Sequence, residues 1–522
     1  MRDAFLWVVL TAFFASTLAL AVYGLHLYAL LYLFRRKAPT RRREQQETIA
    51  AYHRDHALDQ WPVVTTQLPI YNERNVVERL VGATAAIDYP PDRHEIQILD
   101  DSDDSTRDKV DDLVRRLRSR GVDIKVIRRA NRSGFKAGAL ATGIAVARGE
   151  YVAVFDADFV PPKDFLRQAI PLLAAKPDLA CLQGRWSHLN RHESWLTEAQ
   201  ALGIDGHFAI EQGARAWNGF MMNFNGTAGV WRKAAIDDPA VGGWSGDTLT
   251  EDLDLSYRAQ LAGWKLEYCL DLACPAELPG TVGALKSQQR RWATGSIQVA
   301  RKLLPSVWRT RLSLPKKIEA TLHLTHYSVA LWMLLLAVIA RPMLLVASEG
   351  RVFGDWFWIA WAAILVSALA PSLVYAYARY SLGGRWSGLR TIPSMLILGC
   401  GMCVNNSLGV LRGLFGWGGD FVRTPKSGSA DAARVVSHYQ VAVNHTWIAE
   451  VVLGVYSLLS FVFYFNQAQR AFSIFLLLYA IGFLLIGWLS RPWKVRPAST
   501  TVEVPPLLVS SAGTVESAGA TP

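Results

Sequence analysis

The residues best suited to chemistry are two carboxylates, Asp156 and Asp158, which follow the short apolar run 151–155. The run predicts a buried strand. Side chains at i and i+2 of an extended chain lie on the same face, so both acids can reach one cation. Carboxylates at the carboxyl end of a strand can hold Mg²⁺ or Mn²⁺, which then shares its coordination shell with diphosphate oxygens. Taken alone, the triplet is also typical of a turn or a helix cap.

Other acids follow further predicted strands. Strands are predicted at Val63–Leu68, Ile96–Asp100, Ile124–Arg128 and Val152–Asp156. Helical stretches fall between them at 74–87, 105–119 and 134–148. This alternation predicts an α/β domain with a mostly parallel sheet covered on both faces. Ligands of such sheets bind outside the carboxyl ends of the strands, where Glu73, Asp100 and Asp101 join the first two acids.

A glycine-bearing loop opens one of the predicted helices. It runs from Asn131 to Leu140 and includes Arg132, Gly134 and Lys136. A helix N-terminus with a nearby lysine can bind phosphates, and glycine lets the backbone approach them. The spacing of a Walker loop is absent. The alternative is a capped helix with a solvated lysine.

The segment 224–232 places small residues among aromatic ones. It begins Phe224, Asn225, Gly226, Thr227 and ends with Trp231 and Arg232. This pattern suits a backbone that lies against a flat ring, such as a sugar. Polar and aromatic residues also occur upstream, at 183–186 and 207–212, without a distinct role.

Thr250, Glu251 and Asp252 head a predicted helix at Leu253–Ala262. Asp252 is either a helix cap or a general base presented at the rim of the sheet. The sequence alone leaves both interpretations open.

Gln288, Arg291 and Trp292 lie in a predicted helix that runs to about Leu304. Their spacing of i, i+3 and i+4 places them on one helix face. An amide, a guanidinium fork and a large ring suit a phosphate and a sugar better than a dry core. For Trp292 alone, an anchor at a membrane surface is the rival interpretation.

The composition is that of a membrane protein with a polar domain between apolar ends. The chain has 522 residues, 51% of them hydrophobic, and a net charge of +11. The basic residues cluster beside apolar segments, which favours cytosolic flanks of spans over nucleic-acid binding. The five cysteines form no framework, and Cys400 and Cys403 are interpreted as packing residues.

Apolar segments predict several membrane spans. Residues 4–34 form an anchor whose basic flank follows the span, so the N-terminus is expected outside and residue 35 onward in the cytosol. Residues 38–61 are interpreted as an interfacial linker. Further spans are predicted at 320–346, 355–379, 446–465 and 471–490. Segment 391–415 is ambiguous, and we interpret it as an interfacial or broken helix.

The loop 416–428 is rich in glycine and basic residues, and it includes Thr424 and Lys426. It suits a mobile lid over an anionic ligand. Residues from 491 onward are predicted to form a disordered cytosolic tail.

Together, these motifs resemble the processive family 2 glycosyltransferases, which include cellulose, chitin and hyaluronan synthases. The finer matches are to the cellulose synthase-like A and C branch, the mannan and xyloglucan-backbone synthases. The matching segments are 68–73, 136–140, 224–231, 288–292 and 421–426. The resemblance implies three parts in chain order. They are a membrane anchor at 1–37, a cytosolic domain of the GT-A fold at 62–310 and a membrane channel domain at 317–490.

The resemblance also implies roles for the residues. Asp252, with Thr250 and Glu251 beside it, would remove the proton from the acceptor hydroxyl, so that an α-linked donor yields a β-linkage. Asp156 and Asp158 would bind Mg²⁺ or Mn²⁺. The nucleotide sugar would be bound by Glu73, Asp100, Asp101, Arg132, Lys136, Asp156, Gln288, Arg291, Thr424 and Lys426. The acceptor would be bound by Trp292, Phe224, Asn225, Gly226 and Thr227.

The expected function is therefore polymerisation of a hexose, from UDP-glucose or GDP-mannose, into a β-glucan or β-mannan that crosses the membrane. The expected partners are the nucleotide sugar, the growing polysaccharide, the lipid bilayer and export proteins of a cell envelope, with no nucleic acid. In a bacterium the location would be the plasma membrane. Two departures from bacterial cellulose synthase are a single N-terminal span and no C-terminal regulatory domain. The alternatives are a non-processive ceramide or sterol glucosyltransferase and a scaffold that has lost catalysis.

Overall fold

The structure is a computed structural model. It describes residues 2–348, 355–384, 386–416, 445–466 and 470–491.

A seven-stranded sheet forms the centre of the polar domain. Its strands are β1 (Val64–Ile70), β2 (His94–Asp100), β3 (Ile124–Ile127), β4 (Tyr151–Val154), β5 (Leu179–His188), β6 (Gly229–Arg232) and β7 (Lys265–Ala276). The order is β3-β2-β1-β4-β6-β5-β7. Strands β3, β2, β1 and β4 are parallel, β6 runs antiparallel to both of its neighbours, and β5 pairs with β7 in parallel. The predicted mostly parallel α/β fold of the GT-A type is confirmed.

Helices cover both faces of the sheet. The helices up to residue 309 are α1 (Arg2–Asp55), α2 (Val77–Ala85), α3 (Thr106–Arg118), α4 (Phe135–Ala145), α5 (Phe165–Ala174), α6 (Trp195–Asp205), α7 (Gln212–Trp217), α8 (Lys233–Ile236), α9 (Glu251–Leu261) and α10 (Val282–Arg309). One buried cluster joins the sheet to α2, α3 and α5, and a second joins it to α4 and α9. The central strands are buried on both sides, so each face of the sheet packs its side chains against a helical layer.

Helix α1 is longer than the predicted anchor. The apolar segment ends near Phe34, but the helix continues through Pro39 to Asp55, so residues 38–55 of the predicted linker are helical. The polar turns contact the sheet domain: Arg42 pairs with Asp271, and the Gln45 amide donates to the Tyr268 carbonyl at 2.8 Å. These contacts hold the extension in place.

Beyond α10 the chain consists of apolar helices. They are α11 (Leu314–Thr325), α12 (Ser328–Ser348), α13 (Asp355–Ser381), α14 (Ile392–Gly401), α15 (Cys403–Phe415), α16 (Thr446–Asn466) and α17 (Arg470–Leu489). Short 3₁₀ helices lie at Leu58–Gln60, Pro91–Arg93 and Trp386–Thr391. Side chains of α1 and α13 enter the second buried cluster, so the apolar helices pack directly on the sheet domain.

By length and composition, three helices of the described part of the chain can cross a membrane, in Asp3–Asp55, Ala362–Ser381 and Thr446–Phe465. Two bent pairs raise this to as many as five if each pair is one span. The first pair, α11 and α12, bends by 64° within the segment predicted as the span 320–346. The second, Gly388–Gly401 with α15, bends by 48°. The ambiguous segment 391–415 is thus a broken helix in the structure. These apolar helices associate the protein with a membrane.

Candidate active site

A cavity of about 170 Å³ lies at the carboxyl ends of β1, β2 and β4. It collects predicted residues from segments as far apart in sequence as Glu73 and Trp292. The predicted residues that line it are Glu73, Asp101, Arg132, Lys136, Asp156, Asp158, Asn225, Gly226, Glu251, Asp252, Gln288, Arg291 and Trp292. Acidic, basic, amide and aromatic side chains therefore meet in one cleft, as the topology of a parallel sheet requires.

Of the predicted residues that the structure describes, four do not line this cavity. Asp100 is 2% exposed, and it accepts hydrogen bonds from Arg128 at 2.9 Å and from the Ser102 N–H at 3.1 Å. Phe224 lies in the core, edge-on to Trp231. Asp100 and Phe224 therefore support the walls of the site from behind.

Thr227 and Thr250 do not face the cavity but contact backbone segments that hold it in place. The Thr227 hydroxyl accepts the Asp156 N–H at 2.9 Å, and so orients the start of the acidic triplet. Thr250 packs against Gly295, where a Cβ would lie 2.5 Å from the threonine methyl carbon. Gly295 thereby lets α10 approach the start of α9. Thr424 and Lys426, predicted for the lid, lie outside the described residues.

Asp252 lies in the first turn of α9. Its Oδ1 accepts the Leu253 N–H at 2.8 Å. Gly226 has φ +79°, and a Cβ there would come within 2.8 Å of Asp252 Oδ2. Burial raises the pKa of the Asp252 carboxyl to about 7, Glu251 adds to the rise and Lys136 opposes it. A carboxyl with a pKa close to neutrality is suited to act as a general base.

Lys136 connects three of the motifs. Its Nζ lies 2.5 Å from Asp156 Oδ1 and 3.9 Å from Glu251 Oε1, and it donates to the Gly226 carbonyl at 2.8 Å. Burial opposes the charge on the ammonium, but Asp156 and Glu251 raise its pKa above the ordinary value. Arg291 lies near the same carboxylates, and burial lowers its pKa. Lys136 and Arg291 therefore stand as two cations in a group of four acids, namely Asp156, Asp158, Glu251 and Asp252.

Asp156 and Asp158 have the chemistry of a partial metal site. Burial raises the pKa of the Asp156 carboxyl, and the neighbouring Asp158 adds to the rise while Lys136 opposes it. Across the described ranges, no group of three or more His, Cys, Asp or Glu residues is arranged to hold a metal. Mg²⁺ typically uses one or two protein carboxylates together with water and substrate phosphates. The two acids fit a cation of that kind.

One part of the cavity wall consists of planar and charged side chains. The Arg132 guanidinium lies 3.2 Å from the centroid of the Tyr71 ring. Asp101 accepts hydrogen bonds from two nitrogens of Arg129, from Nε at 3.0 Å and also from Nη2. The Tyr71 ring and the Arg132 guanidinium can stack on a flat nucleobase, and the Asp101 carboxylate can accept hydrogen bonds from the edge of that base.

A second cavity, of about 380 Å³, adjoins the first and extends between the apolar helices. Its wall includes residues of α11, α13, α14 and α15. Both cavities are lined by Trp186, Ile204, Asn225, Asp252, Gln288 and Trp292. The ring centroids of Trp186 and Trp292 are 6.3 Å apart, and Phe208 stacks on Trp186 at 4.8 Å. Aromatic faces thus flank the junction beside the carboxylate of α9.

Several lining residues were not predicted as site residues. Trp186 and His188 stand at the end of β5, and Glu277 follows β7 and pairs with Arg79 at 3.0 Å. From the sequence, Trp186 has no distinct role, and neither β5 nor β7 is predicted. Their signal was available in part, because β5 begins with an apolar run and β7 has apolar residues at alternate positions from 266 to 274.

Comparison with known proteins places this geometry among enzymes. Residues 62–295 match the family described as "Glycosyltransferase like family 2". Glucomannan 4-beta-mannosyltransferase 2 of Arabidopsis thaliana is 43% identical over 265 residues, which are 50% of this chain and 49% of the relative. Glucomannan 4-beta-mannosyltransferase 7 of Arabidopsis thaliana is 31% identical over 454 residues, 84% of this chain and 78% of the relative. The chain spans about half the length of the first several curated relatives that it matches.

Among solved structures, the mannosyltransferase PcManGT of Pyrobaculum calidifontis, in complex with GDP-Man and Mn²⁺, has a TM-score of 0.48 at 20% identity. The alignment covers 77% of this chain and 99% of that one.

Proposed function

The protein belongs to the family 2 glycosyltransferases, and we propose that it polymerises a hexose from a nucleotide sugar into a β-glucan or β-mannan and passes the product across the membrane. The sheet domain faces the cytosol in this proposal, and the bent apolar helices line the path of the polymer. The donor is GDP-mannose or UDP-glucose. The names of the curated relatives favour mannose.

The junction of the two cavities carries this proposal. The first cavity contains the acids and cations that suit a nucleotide sugar, and the second lies between helices of membrane type. Asp252 and Trp292 line both cavities. An acceptor sugar stacked on Trp292 would present its hydroxyl to Asp252, with the rest of the acceptor lying in the second cavity.

The reaction is a single displacement. The acceptor hydroxyl oxygen attacks the anomeric carbon of the donor as its proton passes to Asp252. The bond between the anomeric carbon and the diphosphate breaks on the opposite face, and the nucleoside diphosphate leaves with the electron pair. Attack from the opposite face inverts an α-linked donor into a β-linkage. Because the pKa of the Asp252 carboxyl is about 7, this group can hold the proton and release it between turnovers.

The diphosphate would lie against Lys136 and Arg291. Asp156 and Asp158 would hold Mg²⁺ or Mn²⁺ beside it. When bound, the cation neutralises charge on the leaving nucleoside diphosphate. Lys136 contacts Asp156 at 2.5 Å, and donor binding would draw this ammonium toward the phosphates. Thr424 and Lys426 are proposed to close over them as a lid, which would exclude water.

Purified protein in lipid vesicles, supplied with Mg²⁺ or Mn²⁺ and a panel of nucleotide sugars, tests the proposal. The readouts are the release of nucleoside diphosphate and the size of a radiolabelled product. The proposal predicts long, alkali-resistant chains from GDP-mannose or UDP-glucose. Label that partitions into organic solvent would instead indicate transfer to a lipid, and the Asp252→Asn variant serves as the inactive control.

A further inference from the structure

A π-helical segment, Gly206–Glu211, lies between α6 and α7 at the wall of the second cavity. Helices of this type are rare and occur mainly at functional sites. Gly206 faces Tyr375 of α13, since a Cβ there would lie 2.8 Å from the tyrosine ring. His207 and Glu211 both line the cavity, with His207 Nδ1 3.6 Å from Glu211 Oε2. The wide turn thus presents an imidazole and a carboxylate next to each other.

Glu211 is held as an anion by a buried guanidinium. Arg215 Nη2 lies 3.0 Å from Glu211 Oε2, and Arg215 Nε lies 2.7 Å from Glu319 Oε1 on α11. The side chains of Arg215 and Glu319 are 2% and 5% exposed. Burial opposes charge on Glu211, but Arg215 and His207 outweigh it and keep the pKa of this carboxyl below its ordinary value. The side chain is therefore a fixed carboxylate with 22% of its surface exposed.

The carboxylate retains capacity for a ligand. Its contacts with His207 and Arg215 both use Oε2. Gln200 lines the same cavity, and its buried Oε1 has no hydrogen-bond partner within the described part of the chain. Both oxygens accept hydrogen bonds, so a ligand that donates them fits this wall. An alkyl chain does not, because it would leave a carboxylate desolvated and unpaired.

Aromatic side chains complete the cavity. Trp292, Tyr327 and Tyr375 line the second cavity together with Glu211 and Gln200. A saccharide is typically bound by aromatic rings that stack on its C–H faces and by oxygen atoms that accept hydrogen bonds from its hydroxyl groups. His207 also links this wall to the junction, because the Asn225 amide nitrogen lies 3.3 Å from His207 Nε2.

We propose that Glu211, positioned by His207 and Arg215, binds hydroxyl groups of the acceptor at a second subsite. This subsite receives the saccharide unit that follows the terminal one stacked on Trp292. The proposal deepens the proposed function and rests on it. It implies that the acceptor is a β-linked oligosaccharide, because a subsite beyond the first requires a chain of at least two sugar units.

The first experiment measures transfer to acceptors of different length. The variants are Glu211→Gln, which keeps the shape of the side chain, and the control Glu198→Gln, an exposed residue of α6 whose carboxylate contacts only His192 among the described residues. For β-1,4-linked tetrasaccharides of mannose or glucose, Glu211→Gln should raise the acceptor KM about tenfold with little change in kcat, as expected for a lost hydrogen bond to a charged group. Donor hydrolysis without acceptor, and transfer to a monosaccharide, should stay at the wild-type rate.

An equal loss with every acceptor, or an unchanged KM for the tetrasaccharide, would overturn the subsite. A second readout needs no turnover: quenching of tryptophan fluorescence by mannotetraose or cellotetraose in the intact protein. Binding by the wild type and tenfold weaker binding by Glu211→Gln supports the subsite even where no polymer forms. Failure of the proposed function gives a different result, namely a wild type that makes no polymer from any hexose donor. Should Glu211→Gln fail to fold, His207→Gln replaces it in both assays, with the same expected effect.

Discussion

Nζ of Lys286 lies 2.7 Å from Oε2 of Glu450, and the two side chains are 1% and 0% exposed. Lys286 stands near the start of α10, two residues before Gln288, whereas Glu450 belongs to α16. The ammonium also donates to Thr446 at 3.1 Å and to Ser490 at 2.9 Å. A buried ion pair thus connects the helix that carries Gln288, Arg291 and Trp292 to α16 and, through Ser490, to the end of α17.

Breaking this pair should destabilise the protein. Glu450→Gln or Lys286→Met leaves one buried charge unpaired, and we expect a loss of about 3–5 kcal/mol. The joint replacement Lys286→Met with Glu450→Leu should restore most of the stability, because no buried charge remains. Thermal unfolding of the protein in detergent measures the effect. Single variants as stable as the wild type would contradict the expectation.

The contact between α10 and α15 depends on two glycines spaced by four residues. A Cβ at Gly409 would lie 2.9 Å from the Ala293 Cβ, and one at Gly413 would lie 2.7 Å from the Thr294 carbonyl oxygen. Small residues at this spacing let helices in a membrane approach closely. Gly413→Ala should therefore destabilise by about 1–3 kcal/mol, which unfolding in detergent would detect. At Gly399 a Cβ meets nothing within 4 Å, so the control Gly399→Ala should be neutral or slightly stabilising.

Replacing the proposed base should abolish turnover and spare donor binding. Asp252→Asn keeps the size of the side chain but cannot accept a proton, so we expect kcat to fall at least a hundredfold. Nucleoside diphosphate release measures kcat, and titration with the donor measures its Kd. Asp237→Asn, at an exposed carboxylate paired with Lys233, is the control and should match the wild type. Unchanged turnover in Asp252→Asn would exclude Asp252 as the base, whereas a wild type without turnover would indicate a scaffold.

Activity should rise with pH. Burial, with Glu251 adding, raises the pKa of Asp252 to about 7, and only the ionised form accepts a proton. Below that pKa the ionised fraction falls about tenfold per pH unit, so kcat should fall with it. A pH–rate profile at saturating donor between about pH 5.5 and 8.5 measures this. A cation bound near the Asp252 carboxylate would lower its pKa and so shift the ascending limb of the pH–rate profile to lower pH. A flat profile over the whole range would exclude Asp252 as the titrating base.

Removal of divalent cations should stop the reaction. Two carboxylates add negative charge beside the leaving diphosphate, and the proposed cation offsets both. A chelator is therefore expected to end nucleoside diphosphate release, and Mg²⁺ or Mn²⁺ to restore it. Asp158→Asn should raise the cation concentration needed for half-maximal rate by at least tenfold, since one of two ligands is lost. Asp178→Asn, at an exposed pair with Lys265, should leave it unchanged. Full activity in chelator would contradict the site.

Local patterns were sufficient to predict much of this site. Short apolar runs with acids at their ends predicted four of the seven strands to within one or two residues, because strand formation there depends on nearby side chains. The carboxyl ends of parallel strands share one edge, so the acids were expected to meet. The spacing of Gln288, Arg291 and Trp292 likewise predicted a shared helix face. The sequence did not predict β5 and β7, which pair with each other across about ninety residues.

Tertiary structure decided which of the candidate residues line the cavity. From their position after β2, both Asp100 and Asp101 were expected at the nucleotide, but Asp101 lines the cavity and Asp100 pairs with Arg128 behind it. The two carboxylates face different neighbours because consecutive side chains point in opposite directions as the strand ends.

The sequence by itself determined the strand-and-helix pattern, the acids at the strand ends and the apolar helices, since each depends on residues that are near one another in the chain. Only the tertiary structure brought Arg215 to Glu319, Lys286 to Glu450, and the acceptor wall to the donor cavity. These contacts join segments more than a hundred residues apart. Their partners follow from how the helices pack, and no local pattern records that packing.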